Sequence, residues 1–171
     1  FGLIGDWNTT AVTNMESAFQ VTGVVTNTFN EDISNWDTSN VLTMKRMFSN
    51  SSSFNQDISS WDTSKVTHFG QIFYNASSFN QPIGSWNVAN VTNLWNALNG
   101  ANNLNQDLSS WNVNKVSNMD STFINTSLDT INYDLMLIGW EATLQSQFPN
   151  GAGYSKTPGP SFGNVKYTGS G

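Results

Sequence analysis

The stretch FNQDISSWDTSKVTHFGQIFYNASS, residues 54–78, decides the fold, because it is one copy of a unit that recurs along most of the chain. Its tryptophan, Trp61, stands in a row with Trp36, Trp86 and Trp111, spaced by 25 residues each, and Trp7 precedes Trp36 by 29. Around these tryptophans FNEDISNW, FNQDISSW, FNQPIGSW and LNQDLSSW align without gaps, and FGLIGDW reads as a shortened first copy. The four extra residues of the first unit fall near Val21 to Thr28. Self-similarity at such a period marks a repeat architecture in which each unit is one supersecondary element.

Counting forward from each Trp, an apolar residue returns at +5 (Val12, Val41, Val66, Val91, Val116) and at +8 (Met15, Met44, Phe69, Leu94, Met119). It returns again at +11 and +12, as in Met47 with Phe48 and Ile72 with Phe73. Steps of three, three and one put these side chains on one stripe of a short helix of about three turns. Asp62, Thr63 and Ser64 offer oxygens suited to its N-cap. Phe or Leu at +18, Ile or Leu at +22 and the next Trp at +25 then read as a short extended stretch. The expected fold is therefore an α/β solenoid of about five coils, each a short helix plus a short strand. Stacking joins the apolar faces into one core, and each side chain fully buried contributes roughly 1.5–3 kcal/mol. The Trp and Phe rows are core in this reading. The Asn after the +18 aromatic (Asn30, Asn55, Asn80, Asn105) is expected to bond backbone groups of its own and neighbouring coils.

Residues 1–128 form the expected solenoid. In 129–146, Ile131, Leu135, Ile138 and Ala142 lie on one helical stripe, which predicts a C-terminal capping helix. The tail, 147–171, is rich in Gly and Pro and reads as loop with at most one short strand near 163–168. The first coil begins at Phe1 with no polar cap before it, and uncovered terminal repeats are normally hidden. A signal peptide or a longer N-terminal part is expected to have been removed, and the coil is expected to be covered either by a missing N-terminal segment or by the tail of another copy docking head to tail, which can propagate into a filament.

Charged residues make up 11% of the chain, against about 25% in an ordinary soluble domain. A net charge of −6 repels nucleic-acid phosphate and anionic lipid, so neither is expected as a main partner. With no cysteine there is no disulfide framework, thiolate metal site or thiol nucleophile. No apolar run approaches the ~18 residues of a membrane span.

The pattern FNQDIS-x-W-D-T-S-x-V-T-x-M, followed by M/I-F and then A/S, resembles the BspA-like bacterial surface protein repeat, which is grouped with leucine-rich-repeat-like solenoids. The resemblance runs from Phe1 to about Ser127, and INYDLMLIGW (Ile131 to Trp140) is similar to the segment with which such proteins leave their repeats. It implies a leucine-rich-repeat-like fold, a place at the cell surface, and adhesion or scaffolding as the role, since the family has no uniform activity.

The only histidine, His68, replaces the Asn of Asn14, Asn93 and Asn118 and reads as a solvated surface residue, with no second His or Cys beside it. No dyad, phosphate loop or ligand cluster is visible, so neither catalysis nor a cofactor is expected. Asp32, Asp57 and Asp107 recur four residues before Trp, and Asp37 and Asp62 one after. Stacking would bring Asp32 and Asp57 close enough for calcium, but Pro82 breaks the row, and capping is the favoured role. The sequon Asn-x-Ser/Thr marks Asn8, Asn50, Asn75, Asn90 and Asn125 as candidate acceptors of covalent N-glycans on a secreted protein. Asn50, Asn75 and Asn125 share position +14, a register that duplication of one ancestral unit also produces. The expected function is thus a non-enzymatic extracellular structural or adhesive repeat protein. A glycan- or ice-binding face is the alternative; the row Thr9, Thr38, Thr63, Val88, Val113 fails halfway as an ice face, and Trp95 is the exception among tryptophans that are mostly in core register.

Overall fold

The computed structural model describes residues 2–23 and 28–147, with side chains as far as Glu141. The four-residue insertion lies largely outside these residues, as do the Gly/Pro-rich tail and the strand expected near 163–168. The repeats form a stack of five coils, numbered here from their tryptophans: Trp7, Trp36, Trp61, Trp86 and Trp111.

The polypeptide within each coil is a chain of β-turns, not a helix. In coil 2 the N–H groups of Met47, Ser49 and Ser51 donate to the carbonyls of Met44, Arg46 and Phe48, closing three overlapping turns. The alternate N–H groups, of Met44, Arg46, Phe48 and Asn50, leave the coil and donate to His68, Gly70, Ile72 and Tyr74 of coil 3 at 2.7–3.2 Å. Coils 3 and 4 repeat the pattern toward coils 4 and 5. The geometry requires a left-handed residue at the third position of two of the turns, as in type II turns. Position +10 supplies one in Ser17, Arg46, Gln71, Asn96 and Ser121, with φ of 52–61°. Position +14 supplies the other in Asn50, Asn75, Gly100 and Asn125.

This overturns the expected α/β, leucine-rich-repeat-like coil of short helix plus short strand. Among the described residues the only α-helix is α1, Thr130–Gln147, beside two single 3-10 turns at Ile4–Asp6 and Ile83–Ser85. The described residues form no strand; isolated parallel bridges join Asn14, Thr43, His68, Asn93 and Asn118 in turn. The apolar stripe does face inward: Val41, Met44, Met47 and Phe48 are all fully buried. A left-handed residue every fourth position delivers that stripe while sending half the backbone N–H groups to the next coil, which an α-helix cannot do.

The stretch expected as a strand is tied to the coil before it by side chains. The N–H groups of Asn55, Asn80 and Asn105 donate to the Oδ1 atoms of Asn30, Asn55 and Asn80 one coil earlier, at 2.8–2.9 Å. Gln56, Gln81 and Gln106 reach back with Nε2 to the carbonyls of the same asparagines. The expected asparagine row is therefore present, and its side chains replace a sheet ladder.

Aromatic rows run through the core. Trp7, Trp36 and Trp61 stack at 6.4 Å between centroids, and Phe19, Phe48 and Phe73 at 5.5 Å. Each later Trp donates its Nε1 hydrogen to a carbonyl of the coil before: Trp36 to Ile4, Trp61 to Ile33, Trp86 to Ile58 and Trp111 to Ile83. Buried indoles thus keep a partner for their one donor.

Helix α1 closes coil 5 by imitating a sixth coil. Asp129 takes the next place in the asparagine row, its N–H bonded to Asn105 Oδ1, and caps the helix by accepting from Asn132 N–H at 2.8 Å. Trp140 Nε1 donates to Leu108 O at 3.0 Å, the next rung of the tryptophan row. That rung sets the rotation of the helix. Tyr133, Met136 and Trp140 are buried, whereas Ile131, Leu135 and Ile138, the stripe expected to face the core, point away from it. No helix of the described residues is long and apolar enough to cross a membrane.

Candidate functional site

The polar side chains that recur in register lie along the rims of the coils, and their use follows from the backbone beneath them. At +14 the left-handed backbone favours Asn or Gly, the two residues that tolerate it best. This explains the shared register of Asn50, Asn75 and Asn125 and its interruption by Gly100 without reference to glycans. Asn50 Nδ2 donates to Val21 O at 3.0 Å and Asn75 Nδ2 to Asn50 Oδ1 at 3.1 Å. A Cβ on Gly100 would stand 2.3 Å from Asn75 Oδ1, so the missing side chain makes room for the amide of the rung before.

The five sequon asparagines accordingly fall into two groups. Asn50, Asn75 and Asn90 spend their amide nitrogens on the stack, Asn90 donating to Ser64 O and accepting from Lys115 Nζ. Asn8 and Asn125 are exposed, and their Nδ2 atoms donate to no described residue. Asn8 Oδ1 accepts from both the N–H and the hydroxyl of Thr10, its own sequon threonine, at 3.1 and 2.7 Å.

The carboxylates cap turns. Asp32, Asp57 and Asp107 accept from the N–H groups of Ser34, Ser59 and Ser109, and Asp37 and Asp62 from those of Ser39 and Ser64, all at 2.8–2.9 Å. Hydrogen bonds from the Ser34 and Ser59 backbone and side chains hold Asp32 and Asp57 below the usual carboxylate range. For Asp37 and Asp62 the Ser39 and Ser64 side chains lead, followed by their N–H groups. Among the described residues no three His, Cys, Asp or Glu side chains converge to hold a metal ion.

His68 belongs to a capping row that the sequence comparison with Asn14, Asn93 and Asn118 only hinted at. Each of these residues accepts, through its side chain, the N–H two positions on: Glu16 for Asn14, Gly70 for His68, Trp95 for Asn93 and Asp120 for Asn118. His68 Nδ1 therefore acts as an acceptor, at 3.0 Å. Burial pushes its pKa below the ordinary value, Lys45 and Arg46 add to the effect, and Glu16 opposes it. The threonines of the ice-face row, Thr9, Thr38 and Thr63, are buried, and Thr38 and Thr63 donate to the carbonyls of Asp62 and Asn87.

The fold and rims together define a repeat protein whose coils are stapled by polar side chains. The profile of the family described as Mycoplasma protein of unknown function, DUF285, matches residues 2–96 and again 67–143, and the chain belongs to that family. The match supports the repeat reading without naming the BspA-like proteins specifically. No curated protein and no solved structure matches the chain.

Proposed function

We propose that the chain is a non-enzymatic structural or adhesive repeat protein of the cell surface, carrying N-glycans and assembling head to tail. The observation that carries this reading is where the polar side chains go. Asn, Asp, Ser and Thr side chains that a binding or catalytic site would aim at a ligand are bonded instead to backbone groups of their own or the adjacent coil, in register along the stack. A surface that consumes its polar groups in this way suits a scaffold.

Glycans fit best at Asn8 and Asn125, because the bond to the sugar forms at Nδ2 and only there is that atom not already a donor. Glycopeptide mass spectrometry of native material checks this: sugar at Asn50 and Asn75 with bare Asn8 and Asn125 would reverse the assignment. Electron microscopy of native material tests the scaffold reading as a whole, and a population of isolated particles at every concentration would end the filament part of it. The buried threonine row removes the support for an ice-binding face.

A further inference from the structure

Two rows of the repeat meet in a combination that only coil 4 makes. In coils 2 to 5, position +13 reads Ser49, Tyr74, Asn99 and Ile124, and position +14 reads Asn50, Asn75, Gly100 and Asn125. Asn99–Gly100 is thus the one Asn-Gly pair among the described residues. In a free chain such a pair is chemically reactive. Glycine has no side chain to shield its amide nitrogen from the carboxamide one residue before it.

In the stack the pair is tied to both neighbouring coils. Gly100 N–H donates to Ile124 O of coil 5 at 2.9 Å, so the nitrogen keeps its proton in a bond. Asn99 O accepts from Asn75 N–H of coil 3 at 2.8 Å, and Asn99 Nδ2 donates to Asn96 Oδ1 at 2.8 Å. Bringing the Gly100 nitrogen onto Asn99 Cγ takes a turn about the Asn99 Cα–C bond. That bond carries Asn99 O and Gly100 N together, so the turn breaks the links to coils 3 and 5 at once. Space is short as well, because a Cβ on Gly100 would stand 3.1 Å from Asn75 Cα and 3.2 Å from Asn75 N.

We propose that Asn99–Gly100 is a site of covalent self-modification by water, gated by the docking of coil 5. When coil 5 opens, the Gly100 nitrogen gives up its proton and attacks Asn99 Cγ. The Cγ–Nδ2 bond breaks, ammonia leaves with a proton returned from solvent, and a five-membered imide remains. Water then opens the imide at either carbonyl, giving aspartate or isoaspartate. Isoaspartate turns the carbonyl that served Asn75 into a carboxylate outside the main chain and adds one atom before Gly100. The bonds to Asn75 and Ile124 are then not both kept in register, so a transient opening becomes permanent.

Incubation of the whole chain in mildly alkaline buffer tests this, read by mass spectrometry as a gain of about one dalton, with fragment spectra that separate Asn99 from Asn150. A synthetic peptide spanning Leu94 to Leu104 sets the unprotected rate. Asn99 in the folded chain is expected to react at least about tenfold more slowly than in the peptide, because it reacts only through local opening. Trp140→Ala, which removes the ring that seats α1 on coil 5, is expected to speed the reaction. Aged protein is expected to show faster amide exchange in coil 5, and aged Asn99→Gln protein is not. Equal rates in peptide and folded chain would overturn the gating, as would a Trp140→Ala protein whose coil 5 exchanges faster while Asn99 reacts no faster. Modified protein with coil 5 exchange unchanged would overturn the claim that the opening is made permanent.

Discussion

At Asn75 the φ of 55° separates the observed turn-built coil from a helical one. Glycine accepts that conformation freely and a β-branched residue does not. Asn75→Val is therefore expected to cost about 1–3 kcal/mol, and Asn75→Gly less than this, even though both remove the bond to Asn50. Urea denaturation decides it, and a Val variant as stable as the Gly variant would speak for a helix, where Gly is the poorer residue. His68 offers a second test at this scale. Its folded pKa lies below the unfolded value near 6.5, so the stability it contributes is present above that pH and is lost as pH falls toward the folded value. Protonation also removes the acceptor for Gly70 N–H. Replacing His68 with Asn, the residue of coils 1, 4 and 5, is expected to flatten the denaturation midpoint between pH 7 and 5. A slope that persists in His68→Asn would assign the effect to another group, with Glu16, Lys45 and Arg46 the charged residues that act on it.

Among the elements, α1 shows what was legible in the sequence and what was not. A helix over residues 129–146 follows from the spacing of its aliphatic residues. Its rotation does not, because Ile131, Leu135 and Ile138 look like a core stripe until Trp140 is recognised as the next rung after Trp111. The coils show the same division. The buried positions could be read from the 3-3-1 spacing, and the asparagine row from Asn30, Asn55, Asn80 and Asn105. The backbone could not, since one inward stripe is produced equally by a helix and by consecutive turns, and Arg46 and Gln71 carry no sign of a left-handed conformation. Gly100 in register with three asparagines was the available clue. Truncating Trp140 to Ala removes a fully buried ring and its bond to Leu108, and is expected to cost about 3–5 kcal/mol. The same change should speed amide exchange in coil 5 while leaving coils 2 and 3 protected; uniform loss of protection would show that α1 holds the whole stack.

For the molecule as a whole, acid is the condition to which the stack should respond most sharply. The carboxyls of Asp32, Asp37, Asp57, Asp62 and Asp129 all sit below their ordinary value because hydrogen bonds favour the ionised form. Each contributes stability that is present above the unfolded value near 3.8 and is lost as pH falls through the folded one. Stability should hold between pH 7 and about 5 in His68→Asn protein, and decline below pH 4. A midpoint unchanged at pH 3 would show that the turn caps add nothing.

The unequal traffic of N–H groups between coils has an electrical consequence as well. Four peptide groups per interior coil point their hydrogens at the following coil while fewer, such as those of Thr67 and Ser78, point back, so that peptide dipoles of about 3.5 D each cancel only in part. Since the hydrogens lead, the positive end of the summed field lies at coil 5. Asp120 and Asp129 stand at that end, as carboxylates stand at the start of a helix. Turns stacked in this way leave, across coils instead of along one, a field of the same sense as an α-helix's, weakened by the groups that point back.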